Sequence, residues 1–213
     1  EVIMVSLKEL LRLASRTFAI GIEQLPAVLC DAGTVSYLLL RVSDYLEDNE
    51  EMPSEKKIEL LNLWAEVLNG SVNVHELTNR IQVADTSNPD AVVAQHAEDI
   101  LARLALLPKE VREIITPHVI HSTQGMARWV ARGPQVNDEA DMGDYMFEVA
   151  GRVGYLLTHL FAWYSLFSRF RIKELLPLAR EFGLALQTVN VIRGLRKDYE
   201  RGWVYIPKKF LEA

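Results

Sequence analysis

Tyr37-Leu38-Leu39-Leu40-Arg41-Val42-Ser43-Asp44-Tyr45-Leu46-Glu47-Asp48 is an apolar helical run that ends in three carboxylates. Helical geometry puts Asp44, Glu47 and Asp48 on one side, because residues three and four apart are neighbours on a helix surface. Like charges crowded in this way repel unless a cation sits between them. The spacing therefore reads as a magnesium clamp for a phosphate-bearing substrate. The competing reading is a solvated helix end, since Asn49, Glu50 and Glu51 follow and acidic runs are commonly just hydrated.

Outward from this run, apolar residues recur at three and four positions in Leu7-Leu10-Leu11-Ala14, Ile58-Leu61-Trp64-Ala65-Leu68, Val93-Ala97-Ile100-Leu101-Leu104 and Leu178-Phe182-Leu186-Val189. That is helix periodicity, and no alternating strand pattern competes with it. Turn chemistry separates the runs at Leu25-Pro26, Met52-Pro53-Ser54, Thr86-Ser87-Asn88-Pro89, Leu107-Pro108, Gly133-Pro134 and Gly202. Ser54 and Asp138-Glu139 offer helix starts. With no repeat and no low-complexity linker, the expectation is an all-α single domain of roughly eight or nine helices packed as a bundle.

The 213 residues are 49% hydrophobic with a formal net charge of −6, which suffices for an ample core in one compact domain. The acidic balance argues against a nucleic-acid partner, which needs a basic face. The single Cys30 lies among apolar neighbours and cannot close an internal disulfide, so a reducing, cytoplasmic compartment is expected. No apolar stretch reaches the roughly 18 residues of a spanning helix, and the first residues lack a signal-peptide layout. A soluble chain is expected. Tyr155 to Phe170, the richest apolar part, is interrupted by His159, Ser165 and Arg169 and reads as a buried helix, with peripheral membrane contact left open. His118 and His121 lie three apart, but no further Cys or His is spaced to complete a zinc site.

The second chemical feature is Gln187-Thr188-Val189-Asn190-Val191-Ile192-Arg193-Gly194-Leu195-Arg196-Lys197-Asp198. Asn190, Gly194 and Asp198 line one helical face with an oxygen ligand at each end. Either a metal bridges that face, or a buried Asn190 finds an inter-helix hydrogen bond. Arg193, Arg196, Lys197 and Arg201 supply positive charge that binds diphosphate or faces water.

Together the two segments resemble the paired acidic motifs of the squalene and phytoene synthase family, the head-to-head prenyl transferases, with the greater likeness to squalene synthases. Ser15-Arg16-Thr17-Phe18, Gln124-Gly125-Met126-Ala127, Tyr145-Met146-Phe147-Glu148-Val149-Ala150-Gly151 and Phe182-Gly183 fall in the order that family shows. The resemblance implies a class I isoprenoid synthase helical bundle. Two acidic walls of its central cavity would hold Mg2+, or Mn2+, against a prenyl diphosphate, farnesyl diphosphate being favoured. It implies Asp44, Glu47 and Asp48 as the first wall, and Asn190 and Asp198 as the second. Ser15, Arg16, Arg41, Arg193 and Arg201 would grip diphosphate, while Tyr37, Tyr145 and Gln187 would lie near the reacting carbons. Phe18, Phe147, Tyr155, Phe161 and Phe182 are implied as further cavity wall. The implied reaction joins two prenyl diphosphates. Use of NADPH and oligomeric state stay open.

The chain departs from the family pattern where Asn-x-x-Arg-Asp-x-x-Glu-Asp is expected, because Gly194 and Lys197 replace two carboxylates. Magnesium should be held more weakly there, although glycine leaves room for a water ligand. Asn190, Gly194 and Asp198 also resemble the Asn-x-x-x-Ser-x-x-x-Glu triad of single-substrate terpene cyclases. A class I cyclase or single-substrate ionising enzyme is thus an alternative, and a non-catalytic isoprenoid-binding homologue another. Trp203 stands where phytoene synthases carry an arginine. The sequence stops six residues after Pro207, where the family continues with more helices, so a domain over 1–213 with a C-terminal truncation is the expectation.

Overall fold

Caps and prolines, rather than the apolar period alone, decide where the chain breaks. The computed structural model describes residues 6–81, 88–133, 135–200 and 202–211. Among them are α1 Leu7–Ala14, α2 Arg16–Glu23, α3 Ala27–Asp48, α4 Ser54–Leu68, α5 Val74–Thr78, α6 Pro89–Gln95, α7 Ala97–Leu106, α8 Lys109–Arg132 and α9 Glu139–Met146. A π-helical turn, Phe147–Gly151, leads into α10 Arg152–Tyr164, α11 Leu166–Phe170, α12 Ile172–Glu200 and α13 Lys208–Leu211. The described residues form no strand, only an isolated bridge between Gln135 and Val204. The all-α expectation holds. The helices outnumber the eight or nine expected because side-chain caps divide short pieces. Ser15 accepts from the Phe18 N–H at 3.2 Å and starts α2, while Asn73 and Asn88 open α5 and α6 in the same way.

α3 is the axis of the fold. Leu38, Leu39, Val42 and Leu46 are fully buried on it, and α1, α4, α6, α7 and α8 pack around it. The Ser43 hydroxyl meets the Thr123 hydroxyl at 2.7 Å, a buried polar tie between α3 and α8. α12 packs chiefly against α10 and the π turn, with smaller contacts to α9 and α11. Its buried residues are Gly183 and Val191, so Leu178, Phe182, Leu186 and Val189 form a helix as their period predicts but face outward. The segment Tyr155 to Phe170 also departs from a fully buried helix. Leu156, Leu160 and Ala162 are buried, whereas Ser165 breaks the helix and Phe167 and Phe170 are exposed.

The crossing of α12 over the π turn depends on missing side chains. A Cβ on Gly183 would stand 2.7 Å from the Ala150 carbonyl oxygen and 2.9 Å from the Gly151 Cα, and one on Gly154 would meet the Ala179 carbonyl. Gly125 makes room on α8 for the Glu148 carboxylate. Glu148 is 3% exposed, and its oxygens take Arg152 Nε at 2.5 Å and Arg128 Nη2 at 3.2 Å. The Ser122 hydroxyl donates to the Glu148 carbonyl at 2.6 Å. These contacts pin the π turn to α8. π turns are uncommon and recur at functional sites.

Gly183→Ala should therefore cost about 2 kcal/mol by overpacking against backbone that cannot turn away. Gly21→Ala on α2, where nothing stands within 4 Å, should instead be neutral or add up to about 1 kcal/mol through helix propensity. Urea midpoints of the two variants check both. Burial, reinforced by His159, Arg152 and His121, lowers the His118 pKa to about 4. The unfolded chain then binds a proton from about pH 6.5 downward that the folded chain refuses until about 4. This His118 contribution to stability should fall as pH drops through that window, against the opposite contribution of Asp44, whose raised pKa favours the fold as pH drops. The stability of the parent minus that of His118→Gln isolates it: the difference should fall across the window and stay level above it, as read from denaturation of both proteins at pH steps.

Candidate active site at the ends of α3 and α12

Tyr37, Arg41, Asp44 and Asp48 are spaced by four, three and four residues, so α3 presents them as one stripe. At its foot the Tyr37 ring packs on Phe18, centroids 5.6 Å apart. Burial pushes the Tyr37 hydroxyl above its usual pKa, while Arg41 and a hydrogen bond with the Ser15 side chain pull the other way. Ser15, Phe18, Tyr37 and Arg41 are thus brought together. Arg16 is not among them. Its side chain lines an open hollow with Glu9, Arg12 and Glu23, formed by α1 and α2 without any residue of α3. Ser15, the N-cap of α2, contacts Tyr37, while its neighbour Arg16 lines this hollow.

Arg41 is held between two acids. Its Nη1 lies 2.9 Å from Asp44, and Nε and Nη2 form a fork on Asp90 at 2.7 to 3.0 Å. Asp90 sits in the first turn of α6 and has no counterpart among the residues singled out from sequence. Burial raises the Asp44 pKa to about 6, with Asp48 and Asp90 adding to the rise and Arg41 opposing it. One carboxylate further, the side chains diverge in depth. Glu47 is 8% exposed whereas Asp48 is exposed. Below them the buried Lys57 ammonium donates to the Glu47 carbonyl at 2.7 Å and closes the C-terminal end of α3.

Tyr145 links this helix end to α12. It is buried, Trp129 meets it edge-on at 5.6 Å, and Tyr205 stacks on it at 4.5 Å. Burial first, then Glu47, Tyr205 and Asp48, hold its hydroxyl well above the usual tyrosine pKa. Val191 of α12 belongs to the same apolar cluster, and Trp203 stacks on Tyr205 at 5.9 Å. Lys197 of α12 reaches Glu50, just beyond α3, at 3.4 Å. Lys197 therefore pairs with the acidic end of α3. The pair is solvent-exposed and contributes little to stability, but it shows that the two motifs end at the same side of the molecule.

On α12 itself, Asn190 is exposed and donates to the Gln187 side chain at 3.3 Å, so the buried inter-helix hydrogen bond considered for it does not form. A Cβ on Gly194 would stand 3.0 Å from an Asp198 carboxylate oxygen. The space that glycine was expected to leave for a water is where Asp198 leans. Arg193 is exposed on the same helix, and Arg201 lies outside the described residues. The Trp203 N–H donates to the Asp198 carbonyl at 2.8 Å and turns the chain back toward Tyr145.

The donor set fits magnesium better than a metal that demands a full protein cage. Among the described residues, no three His, Cys, Asp or Glu side chains converge on one point. Magnesium keeps several waters and takes only one or two carboxylates plus substrate phosphates, which the Asp44 and Asp48 pair can supply. Four of the contributing residues escaped sequence reasoning, Lys57 of α4 among them. Asp90 lies 49 positions from Arg41, and only its Asn88-Pro89 cap signal was visible. Glu148 stood in a recognised string without a role, and Tyr205 gave no signal except its place after Gly202-Trp203.

Residues 11–213 match the squalene/phytoene synthase family. The squalene synthase of Gibberella zeae is 31% identical over 207 residues, covering 93% of this chain and 42% of the relative. That of Botryococcus braunii is 34% identical over 191 residues, covering 89% and 39%. A solved complex of TcSQS with the ligand BPH1237 superposes with a TM-score of 0.75 at 27% identity, over 90% of this chain and 53% of that one. The chain spans less than half the length of these two curated relatives. Sequence order and helical architecture agree, and the chain belongs to the squalene/phytoene synthase family.

Proposed function

We propose that this chain carries the diphosphate-ionising site of a magnesium-dependent prenyl transferase of the squalene-synthase type, which joins two farnesyl diphosphates head to head. The observation that supports this most is the position of Tyr145, with Glu47 and Asp48 of α3 acting on its hydroxyl and Val191 of α12 in its packing cluster. Both acidic helix ends border one patch of aromatic surface. Asp44, Glu47, Asp48, Asn190 and Asp198 would hold the metal, which when bound supplies positive charge to departing diphosphate.

The remaining work falls to the chain's own groups. Arg41 and Arg193 offer planar guanidinium donors to diphosphate oxygens, although Arg41 must share its fork with Asp90. Tyr37 and Tyr145 present rings whose faces favour a positively charged carbon. Their hydroxyls keep their protons because burial raises both pKa values, so neither adds negative charge next to a leaving anion. Trp129, Tyr145, Tyr205 and Trp203 exclude water from the side of the site they cover.

A second reading has one specific support. The second wall keeps only Asn190 and Asp198 as oxygen donors, with Lys197 drawn to Glu50, and a cyclase or ionising enzyme that consumes one prenyl diphosphate needs less charge neutralisation than one that consumes two. A non-catalytic isoprenoid binder is the limiting case.

Incubation of the purified protein with farnesyl diphosphate and Mg2+, followed by mass spectrometry, should give a C30 product. Products of C15 only would transfer the assignment to the single-substrate reading, and tight binding without pyrophosphate release to the non-catalytic one. Asp48→Asn should lower kcat/KM by about 100-fold while leaving the circular dichroism spectrum unchanged. Asp90→Asn should act differently. It leaves the Arg41 charge to Asp44 alone, so the Mg2+ concentration for half-maximal turnover should rise about tenfold. Direct Mn2+ binding followed by electron paramagnetic resonance should weaken in parallel.

A further inference from the structure

The end of α12 opposite the acidic walls carries a side-chain cluster that the proposed reaction does not use. α11 joins α10 to α12, buries none of its five residues, and leaves Leu166, Phe167 and Phe170 at 63, 68 and 85% exposure. Tyr164 and Phe161 extend the apolar patch back along α10. Each side chain of this size forgoes about 1.5–3 kcal/mol when it is left in water, so a tip that exposes three in five residues calls for an occupant.

Charge identifies the occupant. Between positions 164 and 175 the chain carries Arg169, Arg171 and Lys173 against the single acid Glu174, although its formal net charge is −6. The Arg169 guanidinium is anchored by the carbonyls of Ala162 and Trp163 at 3.1 and 3.0 Å, which fixes a cation at the base of the tip. Arg171 lies 5.1 Å over the Phe167 ring and 3.8 Å from Glu174. Lys173 is exposed on the first turn of α12. An apolar tip collared by cations suits the boundary between acyl chains and anionic head groups. From Ile172 to Asp198, α12 rises by about 40 Å, several times the roughly 8–10 Å over which salt screens exposed charge. The acidic end therefore does not oppose the approach of the basic tip to a negative surface.

We propose that α11 is a peripheral docking element for an anionic lipid bilayer. Leu166, Phe167 and Phe170 enter the acyl boundary, and Arg169, Arg171 and Lys173 meet head-group phosphates. No described helix is long and apolar enough to cross a membrane, so the contact is one of surface insertion. Docking needs no catalysis. Its link to the reaction is that a hydrocarbon product must leave for a bilayer, and that link alone rests on the proposed function.

Sedimentation with vesicles tests the proposal without magnesium or prenyl diphosphate, so its outcome is separate from that of the product assay. The protein should pellet with vesicles of phosphatidylcholine and phosphatidylglycerol, and weakly with phosphatidylcholine alone. Phe167→Ser combined with Phe170→Ser should cut partitioning at least about tenfold. Arg171→Glu combined with Lys173→Glu should cut it about tenfold on the anionic vesicles only. Because all four side chains are exposed, thermal melts should match the parent. The proposal fails if the parent stays in the supernatant, if it binds both vesicle types equally, or if the phenylalanine pair changes nothing. It fails too if size-exclusion chromatography shows a dimer that the phenylalanine substitutions convert to a monomer, since a second copy would then be the occupant.

Discussion

Negative charge at the wrong end of a helix is the constraint on which the rest of this structure turns. The C-terminal end of α3 already carries the negative pole of its peptide dipoles, and a helix end built only for stability places cations there. α3 has no basic residue in its last turn and ends instead in Tyr45-Leu46-Glu47-Asp48, with Asp44 one turn before. The fold offsets part of this charge with cationic groups. Lys57 donates to the Glu47 carbonyl, Arg41 pairs with Asp44, and Lys197 comes across from α12 to Glu50. Lys57 and Lys197 are imported from α4 and α12, and Arg41 comes from one turn earlier on α3 itself. The proposed cation-binding function would account for such an arrangement, because an oxygen-rich, negatively charged patch suits a divalent ion with a phosphate ligand.

Arg41 shows how fine the balance is. It faces Asp44 on its own helix and Asp90 on α6, so its charge is divided before any substrate arrives. Were Asp90 absent, the guanidinium would neutralise Asp44 more completely and reduce the attraction for a metal. With Asp90 present, burial and the neighbouring acids lift the Asp44 pKa to about 6 while Arg41 resists the rise. The residue that tunes the wall is therefore neither on the wall nor within the motif. Glu148 also acts from off the wall, since its burial between Arg128 and Arg152 pins the π turn that directly follows α9 and Tyr145.

What the sequence disclosed and what it withheld follow from the range of the interactions. The first wall was legible because Asp44, Glu47 and Asp48 belong to one helix, and the periodicity of that helix is a local property. The four-residue rhythm of Asn190, Gly194 and Asp198 was legible for the same reason. Asp90, Lys57, Glu148 and Tyr205 were not, since their partners lie across the fold and a charged residue near a helix start looks the same whether it meets water or an arginine. Orientation was harder still. The period of Leu178, Phe182, Leu186 and Val189 correctly indicated a helix, yet period alone cannot say which neighbour covers the apolar face, and in the structure that face is exposed.

Gly194 is where local and long-range information meet. From sequence it is a missing ligand, and the natural inference was an empty place for water. The structure puts the Asp198 carboxylate 3.0 Å from where a Cβ would be, so glycine allows the next acidic residue to fold back along the helix instead of projecting freely. The loss of one carboxylate thereby changes the position of another. With Lys197 directed to Glu50 rather than toward Asn190, the second wall is weaker by two negative charges but is not occupied by the lysine that replaced one of them. Charge that is absent can be made up by substrate phosphate and water, whereas a cation seated among the ligands would compete with the metal directly. The direction of one lysine side chain thus keeps this wall compatible with metal binding despite its altered sequence.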